Sequence, residues 1–69
     1  MKSPHYYTAA EVQLLLGLGS LRTAHNRVQS MNEELQARGF WVERGKVPRK
    51  FFHERYPYIP NEAEEGNHG

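Results

Sequence analysis

The sequence predicts a small, mainly α-helical domain with one β-hairpin, in the order helix, turn, helix, hairpin, helix. Three observations lead there. Two segments with apolar residues at helical spacing flank a glycine-punctuated turn at Gly17 to Ser20. Phe40, Trp41 and Val42 favour extended backbone and precede the turn formers Arg44 and Gly45. Pro48 then opens a last, aromatic-rich segment. A chain of 69 residues holds one domain. A domain of this size buries only about 60% of its unfolded surface, which leaves no room for a deep active site.

The first helix starts at a capping box. In Thr8-Ala9-Ala10-Glu11 the Thr8 hydroxyl can accept from the Glu11 amide while the Glu11 carboxylate reaches back to the Thr8 N–H. Tyr7 and Val12 take the staple positions around that cap, and Val12, Leu15 and Leu16 form an apolar stripe that Gly17 can end at C′. Ser20 is the natural N-cap of a second helix. Leu21, Ala24, Val28, Met31 and Leu35 hold one of its faces apolar, so an intramolecular core is favoured over a coiled-coil seam of only about two heptads. Arg38 and Gly39 mark its end, giving a helix from Leu21 to Arg38 of about 27 Å.

Phe40 to Val42 and Lys46 with Val47 are expected to pair as a hairpin with a basic tip, with the sole tryptophan, Trp41, in the core. Pro48 suits the first position of a third helix whose apolar surface is Phe51, Phe52 and Tyr56, and Pro57 ends it. The folded domain is therefore expected over 1–57. From Tyr58 to Gly69 the chain is acidic and rich in Gly, Pro and Asn, which predicts a disordered tail.

The net charge of +1 hides a segregation along the chain. Residues 1–56 carry all nine Lys and Arg against five acids, whereas Glu62, Glu64 and Glu65 make the tail acidic. Arg44, Lys46, Arg49, Lys50 and Arg55 face only Glu54 within their stretch, the kind of footprint that phosphate binding leaves. No cysteine is present, which removes disulfides, thiolate zinc sites and cysteine nucleophiles and is compatible with a reducing cytoplasm. No segment reads as a membrane span or a signal peptide, so a cytoplasmic protein is expected.

With about 100° of rotation per residue, the side of the second helix opposite its apolar stripe presents Arg22, Thr23, Asn26, Gln29 and Ser30. Arg pairs bidentately with guanine, Asn and Gln with adenine, and Thr or Ser meets phosphate or a thymine methyl. From Ser20 to Ser30 there is no acidic residue, whereas an ordinary surface helix mixes Glu with Lys. Ser20, Arg22, Thr23, His25, Asn26, Arg27, Gln29 and Ser30 are thus candidate contacts of a DNA-reading helix. Arg44 and Lys46 at the hairpin tip, with Arg49 and Lys50 at the start of the third helix, are candidate backbone contacts. The four histidines, His5, His25, His53 and His68, lack ligand spacing, so neither metal nor cofactor is expected. Glu33 and Glu34 are adjacent and cannot share a helix face as a catalytic pair. No nucleophile, base and orienting group assemble, and no enzymatic activity is expected.

The run Y-T-A-A-E-V-x-L-L-L-G-L, then Thr23-Ala24, N-E-E-L-x-x-R-G-F from Asn32 to Phe40 and G-K-V-P-R-K-F-F-x-E-R-Y from Gly45 to Tyr56, resembles the small excisionase-type DNA-binding proteins of phages and integrative elements. The resemblance spans Tyr6 to Tyr56. It implies a winged helix-turn-helix related to the mercury-resistance regulators, with the second helix in the major groove and a wing carrying Arg44 and Lys46 on the adjacent minor groove or backbone. It also implies an architectural role, bending DNA beside an integrase or recombinase. The family commonly reads L-G-V-S-x-x-T-A, and Gly17 to Ala24 holds one residue more, which implies a looser turn or a later start of the second helix. The expected partner is double-stranded DNA. So small a domain has limited contact area, which calls for cooperative self-association on DNA or a protein partner. A phage-type transcriptional regulator would use the same residues. A protein-interaction module, using the second-helix stripe or the aromatic third helix, would show no salt-dependent DNA affinity.

Overall fold

The computed structural model describes residues 5–60 and orders them as β1 (Tyr6–Thr8), α1 (Ala9–Leu16), α2 (Leu21–Ala37), β2 (Lys46–Pro48) and α3 (Arg49–Arg55). It is mainly helical, with three helices and one two-stranded antiparallel sheet. Both helix starts follow from local chemistry. At α1 the Thr8 hydroxyl accepts the Glu11 N–H at 3.2 Å and the Glu11 carboxylate accepts the Thr8 N–H at 2.9 Å, the reciprocal capping box. At α2 the Ser20 hydroxyl accepts the Thr23 N–H at 3.2 Å.

The ends of α1 and α2 use the same left-handed glycine device. Gly17 has φ 66°, its N–H donates to the Leu14 carbonyl at 3.3 Å, and the Leu18 N–H donates to the Gln13 carbonyl at 3.0 Å. Gly39 has φ 89°, with Gly39 N–H to Gln36 at 2.9 Å and Phe40 N–H to Leu35 at 3.0 Å. These are Schellman caps, which satisfy the last carbonyls and favour a residue without a Cβ. Helix α2 starts where its cap dictates, at Leu21 directly after Ser20.

The sheet departs from the expected hairpin. Strand β2 pairs with β1 from the chain start, with Tyr6 opposite Pro48, Tyr7 opposite Val47 and Thr8 opposite Lys46. Residues 40–43 form no strand. Their β-propensity is overridden because only Val42 packs against the core: Phe40 is 59% and Trp41 95% exposed, so Trp41 is not a core residue. Tyr7, by contrast, is buried opposite fully buried Val47 and packs edge-on against Phe52 with ring centroids 5.2 Å apart. The partner that buries more apolar surface takes the place beside β2.

The core joins every element: Tyr7 from β1, Val12 from α1, Ala24, Val28, Met31 and Leu35 from α2, Val47 from β2, and Phe51 and Phe52 from α3. Leu21 does not belong to it and is 45% exposed. Its Cβ tilts toward the helix N-terminus, so at the first helical position it points past the end of the core. Pro48 ends β2 as the N-cap of α3 instead of occupying its first position, with extended ψ 134°. The first helical N–H, that of Arg49, donates to the His5 carbonyl at 2.9 Å.

The folded part reaches beyond Pro57. Ile59 packs against the core, its N–H donates to the Tyr56 carbonyl at 3.0 Å, and its carbonyl lies 3.2 Å from His53 Nδ1. A carbonyl only accepts, so Nδ1 carries the proton; in the neutral ring Nε2 then accepts from the Tyr7 hydroxyl at 2.7 Å. Thus His53 ties residues 57–60 to β1 and α3, correcting the expectation that nothing from Tyr58 onward packs. The rest of the expected tail, residues 61–69, and residues 1–4 of the expected domain lie outside the described residues. Among the described residues no helix is long and apolar enough to cross a membrane.

Candidate functional site

The buried stripe of α2 divides the rest of that helix into an outer face and two flanks. Arg22, Asn26 and Ser30 lie on the outer face, all exposed and without a side-chain hydrogen bond among the described residues. No acid interrupts this face before Glu33. At its start the Ser20 and Thr23 hydroxyls lie 2.9 Å apart, so both are engaged in the cap.

One flank is turned toward α3. Arg27 donates to the Tyr56 hydroxyl at 3.3 Å, Glu34 pairs with Arg38 at 2.8 Å and with Arg55 at 3.1 Å, and the Arg38 guanidinium sits 5.6 Å from the Phe51 ring centre. The other flank faces the loop that precedes β2. His25, Gln29, Gln36 and Arg44 line an open groove of about 720 Å³ whose floor includes Val28, Asn32 and Val42. Gln29 also donates to Glu33 at 3.3 Å, which directs that amide along the helix.

The loop stands where it does because of Asn32, a residue the sequence pattern did not single out. It is only 7% exposed, and its amide nitrogen donates to the Glu43 carbonyl at 3.1 Å and the Lys46 carbonyl at 2.7 Å. One side chain thus supplies both hydrogens to the loop, and Gly45 at φ 78° lets the backbone turn between them. The signal that could have found it is position: Asn32 follows Met31 and stands one turn beyond Val28, at the edge of the buried stripe. Arg44 and Lys46 are exposed on either side of Gly45.

The other two basic candidates do not join this surface. Arg49 is half-buried, its guanidinium 4.7 Å from the Tyr7 ring centre and its Nε buried without a hydrogen-bond partner, so β1 is what it covers. Lys50 is exposed but lines a separate groove with Leu35, Phe40 and Trp41. Leu35 belongs to the buried stripe, so that groove opens on the side of α2 opposite Arg22 and Asn26.

Among the described residues no three His, Cys, Asp or Glu side chains gather where they could hold a metal ion. The brought-together set is therefore one of hydrogen-bonding and cationic groups, with the acid Glu33 at its edge, on an open surface. No family model, curated protein or solved structure matches this chain.

Proposed function

We propose that the protein is a non-enzymatic, sequence-specific binder of double-stranded DNA that lays the outer face of α2 in the major groove. Arg22 and Asn26 would read base edges, with Thr23, Gln29 and Ser30 beside them; Ser20, His25 and Arg27 would meet the flanking phosphates. Arg44 and Lys46, held by Asn32 on the loop beside that helix, would meet the adjacent backbone or minor groove, the role of a wing. One observation carries this reading: apart from Leu21 at the first helical position, the exposed residues from Ser20 to Ser30 are polar or cationic and none is acidic, in a stretch of chain with a net excess of positive charge. The three helices and antiparallel sheet are compatible with a winged helix-turn-helix whose wing is a loop and not a hairpin. Arg49 and Lys50 are left out of the interface because of where they lie.

The resemblance to excisionase-type proteins extends the proposal to an architectural factor of a mobile element, working in the cytoplasm beside an integrase. DNA bending in a gel assay favours that role, and unbent binding at a promoter favours a transcriptional regulator. The test of DNA reading itself is selection of a site from random duplexes. On that site Arg22→Ala or Asn26→Ala should cost about 1–3 kcal/mol and relax the preference. Lys46→Ala should weaken all duplexes alike and lower the salt slope by about 1. An equal loss on random duplexes would reduce Arg22 and Asn26 to phosphate contacts, and absence of any salt-dependent binding would overturn the proposal. The exposed Trp41 and Phe40 favour, in addition, a protein-binding surface elsewhere on the molecule.

A further inference from the structure

We infer that a second copy of this chain docks on the Trp41 face, forming a two-fold dimer in which the tryptophans of the two copies are exchanged. Trp41 is 95% and Phe40 59% exposed, and they stand on the rim of an open groove of about 380 Å³ floored by Leu35, Pro48 and Phe51. A protruding indole and an apolar hollow thus lie side by side on one surface. Two-fold rotation is the operation that puts each projection into the other copy's hollow, because an isologous contact uses the same patch twice.

The charges on the rim fit that occupant. Lys50 and Glu54 line the same groove, one turn apart on α3, and neither takes part in an ion pair among the described residues. Arg38 also lines the groove but is already paired with Glu34, so the charges left to meet an occupant are one cation and one anion, and such a patch complements itself: across a two-fold axis Lys50 of each copy meets Glu54 of the other. A strongly acidic or strongly basic partner would leave one of the two charges opposed. Area points the same way. Aromatic side chains bury about 150–250 Å² each, so the two tryptophans and two partly exposed phenylalanines remove on the order of 600–800 Å². With Pro48 and the aliphatic parts of the rim side chains the total reaches the roughly 1,000 Å² at which specific interfaces begin.

This face opens away from Arg22 and Asn26, so dimerisation leaves the outer face of α2 free, and the inference stands apart from DNA binding. The test is sedimentation equilibrium of the full chain from low micromolar to millimolar concentration, with Trp41 emission followed on the same samples. The mass should double with concentration while the emission of the only tryptophan shifts to the blue. Trp41→Ala should remain monomeric throughout with an unchanged circular dichroism spectrum and thermal midpoint. Lys50→Glu or Glu54→Lys should each weaken the dimer about fivefold, and the two together should restore it. A monomer with solvent-exposed emission at every concentration would overturn the inference. So would a dimer that survives Trp41→Ala, or one that the charge exchange does not restore.

Discussion

The two flanks of α2 are held by different means. Toward α3, Arg27, Glu34 and Arg38 make a hydrogen bond, one ion pair and a cation–ring contact, beside a second ion pair, Glu34 with Arg38, that runs along α2 itself. Toward the loop before β2 there is a single tie, the buried amide of Asn32, and beside it an open groove. The longer inventory is the weaker one. Exposed pairs are each worth about 0–1 kcal/mol because water and side-chain entropy offset them, whereas a buried donor that satisfies two carbonyls carries the cost of leaving them unpaired. The position of the loop that carries Arg44 therefore rests on Asn32 and the packing of Val42, Lys46 is held in addition by the pairing of β2 with β1, and α3 rests on the core beneath its surface contacts.

Three substitutions sharpen this contrast. Asn32→Leu keeps the branched shape but removes the donor, and should cost about 1–3 kcal/mol in urea unfolding and release the loop, visible as faster amide exchange at residues 43–46. A loss no greater than that of a surface substitution would show that the loop has other ties. Glu34→Ala removes both ion pairs of the α3 flank at once and should cost about 0.5–1 kcal/mol, with part of that loss recovered from the gain in helix propensity. If it matched Asn32→Leu, the ranking of the flanks would be reversed. Smallest of all, Trp41→Ala measured at dilute, monomeric concentration should change stability by less than about 0.5 kcal/mol, because almost none of the side chain is buried in the monomer.

The parts legible in the sequence are those fixed by neighbours within a turn of helix. Thr8 with Glu11, Ser20 with Thr23, Gly17 and Gly39 each act over three to five residues; α1 begins and ends and α2 begins where these signals place them, while α2 ends at Ala37 with Arg38 as its cap, one residue short of the expected end. The exposed face of α2 was legible for the same reason, since helical periodicity alone assigns it. What escaped depends on distant partners. Strand β1 exists because Tyr7 reaches Val47 from the other end of the domain, and the local pattern Tyr6-Tyr7-Thr8 reads equally well as the approach to a helix cap. Asn32 is polar and so reads as surface, although the edge of the stripe places it under the loop. Trp41 shows the opposite failure: its strand propensity and size suggest burial, yet once β1 has paired with β2 the segment holding it buries only Val42 and leaves the indole outside. The segment before β2 is accordingly a pinned loop where propensity suggested a hairpin.

The two sides of the molecule that remain open, the outer face of α2 with the Arg44 loop and the Trp41 face with Lys50, are separated by the helix itself, so a single experiment can distinguish them. That experiment is an amide chemical-shift titration of the full chain with duplex DNA, repeated at two salt concentrations. DNA reading by α2 predicts salt-dependent shifts concentrated at residues 20–30 and 43–46, with the amides of residues 40, 41 and 50 little changed. Shifts confined to the Trp41 face, or none at any salt concentration, would contradict it.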